Sequence, residues 1–125
     1  MTWSSITKDL PILDATVLGD LEEELADSGL MCRFAADYAA LWQPRLRRLA
    51  VAVEDQDRDA ALDAAISVKV SAAMIGGLRL ARIAETLEHA IRRDILDDGH
   101  MMLALAETGR ATVKQIELRY SLVGG

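Results

Sequence analysis

An all-α fold is what this sequence predicts: an antiparallel up-down-up-down four-helix bundle with a short extra N-terminal helix. Three observations predict it. Ala and Leu dominate a chain that is 51% hydrophobic and holds only 2 Pro and 8 Gly, a balance that favours helix over sheet. The apolar residues recur at three- and four-residue spacings rather than in alternation. The segments carrying that spacing are joined by short turns, which make neighbouring helices antiparallel. At 125 residues the chain is expected to form a single domain, 1–125, around one core. No linker, low-complexity tract or repeat divides it.

Residues 1–13 read as irregular, because Pro11 pushes Leu10 out of the helical region. Asp14 is then the N-cap of a helix from about Ala15 to Ala26, with Leu13 and Leu18 placed to staple its start. Val17, Leu18, Leu21 and Leu25 form its apolar stripe, Glu22, Glu23 and Glu24 face water, and Asp27-Ser28-Gly29 ends it. The second helix runs from about Leu30 to Glu54 on Phe34, Tyr38, Leu41, Trp42, Leu46, Leu49 and Val53. Pro44 should kink or break it near Leu41 to Gln43. Asp57 caps the third helix, about Arg58 to Ile75, whose core stripe is Ala61, Ala65, Val68, Ala72 and Ile75. These small residues call for close approach of a neighbour, and Gly76-Gly77 closes the helix. The fourth helix, about Leu78 to Leu96, turns Leu80, Ala84, Leu87, Ile91 and Ile95 inward. After the Asp97-Asp98-Gly99 turn comes the fifth, about His100 to Leu122, with Met102, Leu105, Gly109, Val113, Ile116 and Tyr120 inward.

The net charge of −6 argues against a nucleic-acid partner. No apolar run approaches the ~20 residues needed to span a bilayer, and Met1 to Leu10 contains no signal-peptide core. A cytoplasmic protein without membrane contact is the expectation. Cys32 is the one cysteine and is expected to pack in the interior. His89 points away from the core stripe of its helix, and His100 begins another; neither joins a metal-ligand cluster. Gly76-Gly77 is a turn and not a phosphate loop. The segment Glu85-Thr86-Leu87-Glu88-His89 lacks the Glu-x-x-His spacing of di-iron bundles. No cofactor, no metal and no catalytic residue is expected, and the chain does not read as an enzyme.

The third helix carries the exception. Relative to its core stripe, Leu62, Lys69 and Ala73 point roughly 80 to 120° away and Ile66 and Val70 roughly 140 to 180° away. Polar residues belong there. Instead Leu62, Ile66, Val70 and Ala73 form a second apolar strip edged by Lys69, the kind of patch that marks a partner or self-association surface. The alternative is that the first helix or the N-terminal segment covers it.

The stretch Ala64-Ala-Ile-Ser-Val-Lys-Val-Ser-Ala72 resembles the histidine phosphotransfer (HPt) domains of bacterial phosphorelays, which carry Ala-His-x-Leu-Lys-Gly-Ser on the third helix of a similar bundle. The resemblance runs from about Leu10 to Asp97. It includes Leu13-Asp14, Leu21-Glu-Glu-Glu-Leu25, Asp57 with its Ala-rich helix, Lys69, Ser71, Gly76, Leu78-Arg-Leu-Ala81 and Leu87-Glu88. Two positions depart from it. The phosphoryl-accepting histidine of the family falls on Ile66, and the glycine four residues later falls on Val70. Isoleucine has no nucleophilic atom, so phosphoryl transfer at this position is chemically impossible. The resemblance therefore implies a phosphorelay module that binds a response-regulator receiver domain or a sensor histidine kinase without transferring phosphate. Its docking face would be Leu62, Ile66, Lys69, Val70 and Ala73. A structural bundle that forms a homodimer through the same face is the second reading. Phosphotransfer through His89 or His100 is the third.

Overall fold

The computed structural model describes residues 9–94 and 99–122. Five helices follow in order: α1 (Ala15–Leu25), α2 (Ser28–Glu54), α3 (Arg58–Ile75), α4 (Leu78–Arg92) and α5 (His100–Arg119). The described residues hold no strand. In the bundle, α2 packs on α3, α3 on α4 and α4 on α5, and α5 closes the ring against α2. The predicted four-helix bundle is thus present, with α1 as the short extra member lying on α2 and α3.

The starts of the first three helices follow from their caps. The Asp14 carboxylate accepts from the Val17 N–H at 2.9 Å, and that of Asp57 from the Ala60 N–H at 3.2 Å, each satisfying a donor that has no partner within its helix. Asp27 does the same for Gly29 and Leu30, at 2.8 and 3.3 Å. This corrects the expected start at Leu30: with Asp27 as a cap, α2 opens two residues earlier at Ser28. Both α4 and α5 stop short of expectation, at Arg92 and Arg119. Just beyond these ends Asp94 and Ser121 take positive φ, near 54° and 53°, which no helix continues through. The expected inward position of Ile95 and the Asp97-Asp98 part of the next turn lie outside the described residues.

Pro44 does not break α2, which is helical from Ser28 to Glu54. The helix is held on both sides of the proline, by buried Tyr38 and Trp42 before it and buried Leu49 and Ala52 after it. The missing N–H leaves the Ala40 carbonyl without its usual donor, and Ala40 and Pro44 are both exposed, so water can serve there. Two expectations on α2 fail. Leu41 is 45% exposed, because the adjacent Trp42 takes the inward position. Cys32 is exposed, since its neighbours Met31 and Ala35 supply the packing.

The core has two parts. A central cluster joins Trp42, Leu49, Ala65, Val68, Leu87 and Leu105, among others. A second cluster beneath α1 joins Leu18, Met31, Ala35, Tyr38, Ile75 and Ile116, with Leu13 packed against it. Leu13 and Leu18 therefore share one cluster across the Asp14 cap, as a staple requires. Two glycines permit close approach. Gly76 sits at φ 87°, and a Cβ there would meet the Asp14 carbonyl at 3.0 Å. Its own carbonyl accepts from the Asp14 N–H at 2.8 Å, which fastens the start of α1 to the α3–α4 turn. At Gly109 a Cβ would lie 1.8 Å from the Trp42 ring, so α5 accommodates the indole by having no side chain there.

Candidate functional site

The α3 helix presents two sides. Ala61, Ala64, Ala65, Val68, Ala72 and Ile75 are buried, and Gly76 in the left-handed conformation fixes where the helix stops. Opposite them lie the residues singled out in the sequence. Leu62 is half-buried and packs against the central core. Ile66 and Lys69 are half-buried, while Val70 and Ala73 are exposed. The structure gathers three of the five, Lys69, Val70 and Ala73, into one shallow groove between α3 and α4, together with Leu10, Met74 and Leu78. Leu62 and Ile66 continue the strip along α3 beyond that groove. Met74, 53% exposed, belongs to the same surface and was missed, because its turn of the helix falls on the far side of the strip from Lys69.

The α1 helix packs into the cluster of Leu18, Met31, Tyr38, Ile75 and Ile116, and Val70, Ala73 and Met74 remain exposed. The N-terminal segment reaches the groove at Leu10, held by the Arg79 Nε–H, which donates to the Leu10 carbonyl at 2.8 Å. The Arg79 N–H donates to the Pro11 carbonyl at 3.1 Å.

One functional candidate was named in the sequence only as part of the family resemblance. Glu88 on α4 is buried, with its side chain 7% exposed. The Lys69 ammonium donates to its Oε1 at 2.6 Å. Its Oε2 accepts from Arg92, from Nε at 3.2 Å and from Nη2 at 3.0 Å. The Lys69 hydrogen bond, opposed by burial and reinforced by Arg92, holds the Glu88 carboxyl below its ordinary 4.5. Glu88 is thus an ionised carboxylate inside the bundle wall, bridging α3 to the last turn of α4. Farther along the groove, Arg82 and Glu85 form a second ion pair at 3.7 Å.

Chemically, the outward face of α3 offers little beyond contact. Ile66 and Val70 have no lone pair, and the Ser71 hydroxyl is spent on the Ser67 carbonyl at 2.7 Å. His89 follows Glu88 on α4 and is exposed, as the helical spacing predicts. His100 is exposed at the start of α5. Among the described residues no group of three or more His, Cys, Asp or Glu side chains is placed to hold a metal ion. No helix among them is long and apolar enough to cross a membrane.

No family model matches the sequence, and no curated protein matches it. Among solved structures the chain is similar to histidine-containing phosphotransfer protein B (HptB) from Pseudomonas aeruginosa PAO1. The TM-score is 0.81, with 22% sequence identity, and the match covers 91% of this chain and 98% of that one. The fold is therefore the helical bundle of the HPt proteins that the third-helix stretch resembles.

Proposed function

We propose that this chain is an HPt-like phosphorelay module, a pseudo-phosphotransferase that cannot accept a phosphoryl group at Ile66. It acts by binding a receiver domain or sensor histidine kinase through Leu62, Ile66, Lys69, Val70 and Ala73. The observation that carries this reading is an aliphatic, half-buried side chain at position 66 on an outward strip of an HPt-type bundle. A nucleophile there would serve transfer, while an aliphatic chain serves only contact. Expelling water from such a strip is favourable in proportion to the apolar area covered, so the face retains a physical reason to dock. The single domain spanning 1–125, the lack of enzymatic activity and the cytoplasmic location belong to this proposal as well.

Titration calorimetry of the purified chain against receiver domains and sensor-kinase cores from the same genome tests it. Binding is expected for at least one, and Ile66→Asp should abolish it while the helical circular dichroism is unchanged. Binding that survives Ile66→Asp places the docking face elsewhere. Incubation with a phosphorylated receiver should leave no acid-labile phosphate on the chain. Label at His89 or His100 would replace this reading with transfer.

A second reading, self-association, is favoured by the half exposure of two large apolar side chains, Val70 and Met74. Light scattering after size exclusion separates the two. A stable dimer that Ile66→Asp dissociates supports the homodimer, and a monomer supports docking to a different protein.

A further inference from the structure

We infer that Glu88 is a specificity-determining residue, which by holding Lys69 makes the docking face indifferent to whether its partner carries a phosphoryl group. The inference rests on the docking reading above and deepens it. Lys69 is the cation on the strip itself, one helical turn from Ile66, and it would be the natural donor to an incoming phosphate. Its ammonium is already committed at 2.6 Å to a carboxylate that is buried and ionised.

Two features keep it there. If Lys69 left, Glu88 would stay buried with only the exposed Arg92 as a partner, and losing one of its two partners is unfavourable for a buried carboxylate. A phosphoryl group brought to Lys69 would also approach the Glu88 charge, and like charges repel across a low-dielectric wall. The neighbouring cations on α4 are engaged too. Arg92 donates twice to Glu88, and Arg82 pairs with Glu85. Three cations thus answer to two carboxylates, which leaves only a weak, spread positive field. What remains for a partner to read is apolar shape, from Ile66, Val70, Ala73 and Met74. Glutamine at position 88 would keep the size but drop the charge, which frees Lys69 for an anion.

Two measurements decide this. In the first, the Lys69 side-chain resonances are followed by NMR during titration with inorganic phosphate. The wild-type signals should not saturate into the tens of millimolar range, and those of Glu88→Gln should. Saturation in wild type, or equal silence in a folded Glu88→Gln, overturns the inference. In the second, the affinity for a receiver domain that binds is compared with and without beryllium fluoride, which mimics the aspartyl phosphate. The two dissociation constants should agree within about twofold, and a preference of about tenfold or more for the activated receiver overturns the inference. Should Glu88→Gln fail to fold, Lys69→Met takes its place. It must bind activated and unactivated receiver equally, and a loss confined to the activated form overturns the inference. If no receiver or kinase binds the wild-type chain, the docking reading fails, while the phosphate titration still decides the state of Lys69.

Discussion

On one side of α3, Ala61, Ala64, Ala65, Val68 and Ala72 lie under the neighbouring helices at no more than 4% exposure. On the other, Val70 and Met74 are 49% and 53% exposed, and Ile66 is half-buried between them and Leu62. Both sides are apolar, and they differ in size of side chain. Small residues line the side where a helix must come close, since interaxial distance follows the side chains at the contact. Larger aliphatics occupy the side that no described helix covers. Packing accounts for the first set, while of the second Leu62 alone packs against the central core and Val70 and Met74 stay open to a partner of the kind proposed above.

The largest effects are expected where the buried side meets its neighbours. Leu87 is 2% exposed within the central cluster, and Ile116 is fully buried in the cluster beneath α1. Each changed to Ala should cost about 2–5 kcal/mol, read from denaturant or thermal unfolding. On α3 itself, Ala65 has no exposure at all, and Ala65→Leu should cost about 1–3 kcal/mol through overpacking against α2 and α4. If Ala65→Leu were neutral, the contrast between the two sides of α3 would be wrong at its base.

Lys69 lies at the border between the sides and should show an intermediate effect. Lys69→Met removes one partner of a buried carboxylate, but Arg92 remains on the other oxygen. The cost should therefore be about 1–2 kcal/mol, below the ~3–5 kcal/mol typical when a buried charge is left alone. The pH dependence has a definite sign. The native Glu88 carboxyl titrates below its ordinary 4.5, so the folded state binds this proton less readily than the unfolded chain. The stabilisation is fully present above about pH 4.5 and is lost as pH falls through the lowered native value. Melting temperatures of wild type and Glu88→Gln, followed from neutral pH downward, should converge below that point. Curves that stay parallel would mean Glu88 is not the group responsible.

The ease with which the fold could be read has a physical reason. Asp14, Asp57 and Gly76 act within one turn of their own positions, so local chemistry sets where α1 begins and where α3 begins and ends. Pro44 does not break α2, because its local penalty is outweighed by packing on both sides, which comes from other helices. The burial of Glu88 could not be read locally for the same kind of reason. A charged residue beside an inward leucine reads as solvated, and its burial depends on Lys69, nineteen positions earlier on another helix. The one available signal was the Glu88–Arg92 spacing of four residues, which places a cation on the same face of α4. The apolar strip itself was legible from helical period alone, although Leu10 joins it only through the tertiary structure.

The smallest stability effect belongs to the outermost residue. Val70 is about half exposed already, so replacing it forfeits only the part of its burial that the fold uses. Aspartate and valine have similar helix propensities, which removes the backbone contribution from the comparison. Val70→Asp should therefore destabilise the bundle by about 0.5–1 kcal/mol, a shift of a few degrees in melting temperature. Binding to a receiver or kinase, by contrast, should be lost, since a carboxylate would be forced against an apolar surface without a partner. A residue nearly silent in folding yet decisive in docking is what a surface maintained for contact predicts. A loss of stability as large as that of Leu87→Ala would instead mean that Val70 holds up the fold and that the outer strip needs no partner.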